Sequence, residues 1–349
     1  MLNSCLPVVS HRQGWEERQM ISNNFMNAAP QNRSRIIVAF ALLYVLWGST
    51  YLAMRVIVRD LPPYVAGAVR YLTAGPIMLA ACALMGRKIK LTRTDLRRLL
   101  VISILLLSIG NIGVLWGEVY VSSGLASLIV ALVPIWVVMI EAWFFRAARL
   151  TAKGIFGLAL GILGLLVLLW PRIVSGSHLG RLELLGCAIL ATGSFFWALG
   201  SVFSHRYELS VDVLVSAAWQ MVLGGLVDAL IALLFGQFPK THWTAHALEG
   251  IAYLVVFGSW IGYSCYIYLL EHVPTPKVAT YAYVNPIVAV FLGWIILREH
   301  VDVFMMLGTA IIIVSVALVN TSRLKGPPTQ PLPMEEVPSC PKTVNVAGD

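Results

Sequence analysis

Apolar stretches of at least 17 residues, nearly free of charge, recur along almost the whole of this 349-residue chain. Each is long enough at about 1.5 Å per residue to cross a hydrocarbon core about 30 Å thick. Only 12% of the residues are charged and 58% are hydrophobic, where a soluble domain carries about 25% charged residues. The stretches run from Ile36 to Val58, Tyr64 to Met85, Leu99 to Trp116, Ser123 to Phe145 and Gly154 to Trp170. They resume from Leu184 to Phe203, Val213 to Phe235, Ala247 to Leu270, Pro276 to Leu297 and Val303 to Asn320. Membrane strands alternate and are shorter, so continuous runs predict an all-α membrane protein of ten transmembrane helices.

The net charge of +8 does not call for nucleic acid, because Lys and Arg are sorted by loop. With ten spans both termini share a side. That side holds 18 of the 25 Lys and Arg residues, among them the run from Arg87 to Arg98. The other side holds only Arg59, Arg172, Arg181, Lys240 and Arg298, while Arg55 and Arg70 fall within spans. The asymmetry predicts that both termini are cytoplasmic.

Residues 1–35 form a polar tail without the apolar core of a cleavable signal, and Met20 or Met26 is a candidate alternative start. Residues 321–349 are rich in proline and read as a disordered tail. Cys5, Cys82, Cys187, Cys265 and Cys340 are odd in number and lack CxxC spacing, so neither a disulfide framework nor a cysteine metal site is expected. The seven histidines sit in tails or near helix ends. His242 and His246 are four apart but fall in a loop, which reads as solvated rather than metal-binding. No phosphate-binding loop or dinucleotide fingerprint is present, so no cofactor, ATP-driven step or enzyme activity is expected.

The two halves of the chain match each other. At an offset of 150, Trp47 meets Trp197, Gly75 meets Gly225 and Gly86 meets Gly236; at 152, Gly110 meets Gly262, Pro134 meets Pro286 and Arg146 meets Arg298. The first copy covers residues 36–170 and the second 184–320. Five helices are an odd number, so the second copy enters the membrane the other way up. Inverted repeats of this kind permit alternating access around a site between the halves.

Polar and irregular positions inside the spans mark where chemistry can reside. Pro134 and Pro286 lie about midway along helices four and nine, where proline removes an N–H and releases a carbonyl one turn back. They read as a kinked pair lining a cavity, with proline tolerated by ordinary packing as the alternative. Tyr281 and Asn285 are four apart and share a helix face, turned to a cavity or to a partner helix. Arg70 in helix two and Glu118 at the end of helix three read either as a structural ion pair or as an outer gate. Asp228 in helix seven is a candidate coupling group. Gly157, Gly161 and Gly164 give helix five a small-residue step suited to close contact or dimerisation.

The stretches Trp47-Gly48-Ser49-Thr50-Tyr51, Arg70-Tyr71, Gly110-Asn111, Gly200-Ser201 and Tyr281-Ala282-Tyr283-Val284-Asn285-Pro286 resemble the EamA branch of the drug/metabolite transporter superfamily, in particular its YedA-like members. The resemblance spans about residues 36–320. It implies an exporter of the bacterial inner membrane with a central cavity. By carry-over, Trp47, Asn111, Trp116, Tyr263, Tyr281 and Asn285 become substrate-binding candidates. Where many relatives carry Gly-Glu after helices four and nine, this chain has Arg146-Ala147 and Arg298-Glu299. The implied activity is secondary transport of small metabolites, such as amino acids or drug-like compounds, in contact with membrane lipid. A receptor or scaffold without turnover, or a flippase for lipid-linked cargo, is the alternative; oligomeric state is left open.

Cysteines introduced beside Arg93 and beside Lys240 are expected to react with a membrane-impermeant thiol reagent from opposite faces of the membrane. Labelling of both from one face would overturn the inversion of the repeat.

Overall fold

The computed structural model describes residues 30–144, 149–174, 181–297, 303–322 and 324–325. Most of the polar N-terminal tail and the proline-rich C-terminal tail, Arg146, Ala147, Arg298, Glu299, and the histidines His11, His178 and His300 lie outside them. The described residues are almost entirely helical: α1 Pro30–Ile57, α2 Pro63–Leu84, α3 Arg93–Tyr120, α4 Ser123–Val130, α5 Val133–Phe144, α6 Ala152–Val174, α7 Arg181–Arg206, α8 Val213–Leu234, α9 Ala245–His272, α10 Thr275–Val278, α11 Tyr281–Leu297 and α12 Val303–Thr321. Arg149–Leu150 and Leu324–Lys325 form a two-residue antiparallel pair.

Helix occupies every apolar stretch of the sequence. Among the described residues, six helices are long and apolar enough to cross a membrane: α1, α2, α3, α7, α8 and α9. Large apolar side chains such as Leu84, Leu166, Leu230 and Phe291 are exposed, while Ser103, Ser108, Gln220 and Ser259 are buried. That inside-out distribution suits a hydrocarbon surround, in which polar groups must find partners within the protein.

Two expected spans are each in two pieces. The fourth breaks at Ala131–Leu132, between α4 and α5 and just before Pro134. The missing proline N–H accounts for that position. The ninth breaks at Ala279–Thr280, between α10 and α11, and Pro286 lies inside the continuous α11. Here the interruption falls six residues before the proline, so proline chemistry does not explain it.

The repeat is visible as matched local structure. Gly86 and Gly236, paired at the offset of 150, follow the ends of α2 and α8 with φ of 74° and 59°. This left-handed conformation closes a helix and is strained for residues with a Cβ. Helices α3 and α9 each contain a wider π-helical stretch, Ile104–Asn111 and Leu254–Tyr263. The two stretches end at positions paired by the offset of 152. Thr92 and Thr244, paired likewise, cap α3 and α9 by accepting from the backbone N–H three residues on.

Matched helices also pack on one another through glycine. A Cβ on Gly75 of α2 would lie 2.8 Å from the backbone of Val222 in α8, and one on Gly225 of α8 would lie 3.0 Å from the backbone of Leu72 in α2. Gly157 and Gly161 of α6 face α12, where Ser315 donates to the Gly157 carbonyl at 2.6 Å. The small-residue step of helix five therefore serves contact within the chain.

Helices α3 and α7 meet backbone to backbone at Gly113 and Gly193, where an added Cβ on Gly193 would stand 3.1 Å from the Gly110 carbonyl oxygen. Backbone cannot give way as a side chain does. Gly193→Leu is expected to lower stability by about 2 kcal/mol or more, read as loss of melting temperature in detergent micelles. Gly124→Ala, where nothing lies within 4 Å, is the control expected to leave it unchanged or slightly raised.

Candidate functional site

A cavity of about 550 Å³, counting its open mouth, lies where α1, α2, α3, α7, α9 and α11 converge. Its aromatic wall is Trp47, Tyr51, Tyr71, Trp197, Tyr263 and Tyr281, and its polar members include Arg70, Asn111, Ser194 and Asn285. Both halves of the chain contribute.

The wall is built by reciprocal packing. Trp47 sits against Gly262 of α9, where a Cβ would fall 2.4 Å from Nε1, and Trp197 sits against Gly110 of α3, where a Cβ would fall 3.0 Å from the ring. The two tryptophans are a repeat pair, and so are the two glycines. Only a residue without a Cβ lets each ring lie on the other half's helix. The rings then meet, with Trp47 5.5 Å from Trp197 and 5.0 Å from Tyr281 between centroids, in edge-to-face geometry. Tyr266, fully buried behind them, is 4.8 Å from Trp47 and 5.4 Å from Trp197. Such contacts contribute about 0.5–1.5 kcal/mol per pair beyond burial.

The polar side is a small network around Asn111, the last residue of the π-helical stretch in α3. Its Oδ1 accepts from the Tyr71 hydroxyl at 2.7 Å and from Arg70 Nη1 at 3.2 Å. Arg70 Nε donates to Ser259 Oγ at 2.9 Å. Tyr263, which ends the π-helical stretch of α9, donates to Gln220 Oε1 at 2.5 Å, and Gln220 in turn donates to Ser216 at 3.0 Å. The wider π turn swings these side chains out of α-helical register, a device common at functional sites. Asn285 is 1% exposed, and its Oδ1 accepts no hydrogen bond among the described residues.

The structure brings together Trp47, Arg70, Asn111, Tyr263, Tyr281 and Asn285. Trp116, on α3, packs half-buried against the core and is not part of the wall. Pro134 and Pro286 are not in the wall either.

Arg70 and Glu118 are not paired. Arg70 is satisfied by Ser259 and Asn111, whereas it is Arg55 that reaches Glu118, donating from Nη1 to its backbone carbonyl. The Glu118 carboxylate is fully buried without a hydrogen-bond partner among the described residues. Asp228 is also fully buried outside the cavity, its Oδ2 only 2.7 Å from where a Cβ on Gly67 would be. Gln220 and Ser259 escaped the sequence reading. Their signal was present, since a polar residue inside an apolar span points inward, but serine and glutamine are too mild to stand out from one sequence.

Apolar helices around a polar cavity shared by two halves define a multi-pass membrane protein. The model of the EamA-like transporter family matches the chain twice, over residues 34–170 and 184–321. The chain belongs to that family and is a membrane transporter. It is 33% identical to the uncharacterized inner membrane transporter YedA of Escherichia coli (strain K12), over 82% of this chain and 90% of that protein. It is 22% identical to the uncharacterized transporter YoaV of Bacillus subtilis (strain 168), over 80% of this chain and 94% of YoaV. A solved structure titled "Crystal structure of protein" has the same fold, with a TM-score of 0.66 and 19% identity over 82% of this chain and 97% of that one.

Asn111→Leu is expected to cost about 3 kcal/mol, because it strands a buried hydroxyl and a buried guanidinium N–H at once. Tyr71→Phe alone is expected to cost about 1 kcal/mol and to cost nothing further in the Asn111→Leu background. Denaturation of the four proteins in micelles measures the cycle.

Proposed function

We propose that this protein is a secondary transporter exporting small metabolites across a bacterial inner membrane by alternating access. Ten membrane-spanning helices, with α4 and α5 acting as one span and α10 and α11 as another, make two five-helix repeats of opposite orientation, residues 36–170 and 184–320. Both termini are cytoplasmic. The cavity is the substrate site, with Trp47, Asn111, Tyr263, Tyr281 and Asn285 as contacts. Asp228 is the coupling group, and Glu118 with Arg55 controls the outer end.

The observation that carries this reading is the seam itself: Trp47 and Trp197, one from each half, meet in the cavity wall, each resting on a glycine of the opposite half. A site made from matched halves is divided when the halves rock, and each movement exposes it to one side. An inner-membrane setting is supported by the name of the YedA relative, and cytoplasmic termini by the greater basic charge of the loops placed on their side. Small metabolites suit the lining, in which aromatic side chains surround a few convergent polar groups.

Counterflow of labelled solutes into proteoliposomes tests the proposal. Exchange of at least one small solute is expected, and absence of exchange across a metabolite-wide panel would leave a scaffold in its place. Asn285→Ala removes one polar contact and is expected to lower exchange about three- to tenfold with normal membrane insertion. Unaltered exchange kinetics would take Asn285 out of the site.

A further inference from the structure

Arg70 is 5% exposed and lies in the cavity wall. Its guanidinium donates to two neutral oxygens, Ser259 Oγ at 2.9 Å and Asn111 Oδ1 at 3.2 Å, and its Cζ lies 5.0 Å from the Tyr71 ring centroid. Among the described residues no carboxylate comes within ion-pair distance of it. A guanidinium has five N–H donors in a planar fork, and these two bonds leave donors over at the cavity edge. Nη2 rests against Gly258 of α9, where a Cβ would stand 2.8 Å from it, so the glycine makes room for the guanidinium in the wall. The wall contains no Asp or Glu. Glu118 is on the stretch of α3 that Arg55 reaches, and Asp228 is tucked against Gly67 outside the wall.

A buried cation with no carboxylate at hydrogen-bonding distance is costly; Asp228 acts on Arg70 only at longer range, and an anion placed on the open fork recovers more of that cost through charge-assisted hydrogen bonds. The aromatic wall does not form a cage for a cation. Trp47, Trp197 and Tyr281 are engaged with one another and with Tyr266 at centroid distances of 4.8–5.6 Å, and Arg70 stands in the same cavity. These rings offer edges and flat apolar area to an uncharged body.

We infer that the cavity selects organic anions, with a carboxylate on the free edge of Arg70 and a flat apolar body against the Trp47, Trp197 and Tyr281 side. This deepens the transport proposal and rests on its assignment of the cavity as the substrate site. It favours acids over amines and over uncharged isosteres.

The test is equilibrium binding to the full chain in lipid nanodiscs, followed by tryptophan fluorescence or calorimetry. The probes are phenylacetate, phenylacetamide and 2-phenylethylamine, which share a ring and differ in charge. Phenylacetate is expected to bind about tenfold or more tightly than phenylacetamide, with the amine weakest. Arg70→Gln should erase the difference between acid and amide. Asn111→Asp, which sets a carboxylate against Arg70, should erase it too and serves if Arg70→Gln does not fold. Equal or better binding of the amide or the amine, no binding of any of the three, or acid preference surviving in a folded Arg70 or Asn111 variant would each overturn the inference. Because binding needs no turnover, acid preference without counterflow would reject transport and leave this selectivity standing.

Discussion

Hydrocarbon offers no hydrogen-bond partner, and the whole structure follows from that deficit. Backbone in such a surround must satisfy itself, so the described chain is helical almost throughout. Side chains with polar atoms must converge on one another, and the convergence of Arg70, Tyr71, Asn111, Ser259, Tyr263 and Gln220 is what makes an interior polar cavity. Many large apolar residues, freed from the need to hide, face outward, while others pack the core between helices. Function is placed inside the bundle by the same physics that folds it.

Without a hydrophobic force between helices in lipid, association depends on close contact and on hydrogen bonds across the seam. Glycines supply the contact at Gly75 with Gly225 and at Gly113 with Gly193. Hydrogen bonds supply ties at opposite ends of α8. At one end Thr244 donates to the Asp60 carboxylate at 2.5 Å and the His242 N–H to the Asp60 carbonyl at 3.0 Å. At the other, the Ser210 N–H donates to Asp95 at 3.2 Å, supported by the ion pair of Arg87 with Asp212. Asp60 and Ser210 occupy paired positions of the repeat, as do Thr244 and Thr92, which donates to Asp95 at 2.6 Å. Both ties are made in the same conformation. Each joins a residue of the first half of the chain to one of the second.

Much of the fold was legible because the signals were long. An apolar run of about 20 residues has one reading in a membrane protein, and helices occupy all the stretches it marked. Tyr281 and Asn285 were legible through their helical spacing, Trp47 through its repeat partner, and Asn111 only through the family resemblance. The pairing of Arg70 with Glu118 was not, because complementary charge fixes no distance, and neutral Ser259 and Asn111 lie nearer to the guanidinium. Trp116 shows the same limit: its residue type suits a cavity, yet the face of α3 that it occupies turns to the packed core. The break at Ala279–Thr280 has no proline beside it, and no local signal announces the π-helical stretches, which depend on how α3 and α9 pack.

The sequence by itself determined where the helices are, that the chain is two copies of one pattern, and which polar residues the lipid would refuse. Each of these is a local or periodic property, decided within one span and its neighbours along the chain. The tertiary structure alone decided which polar residues meet: Arg70 with Ser259, nearly two hundred positions away, and Trp47 with Gly262. Hydrogen bonds and ring contacts act over a few ångströms, and only the packing of helices from both halves sets distances on that scale.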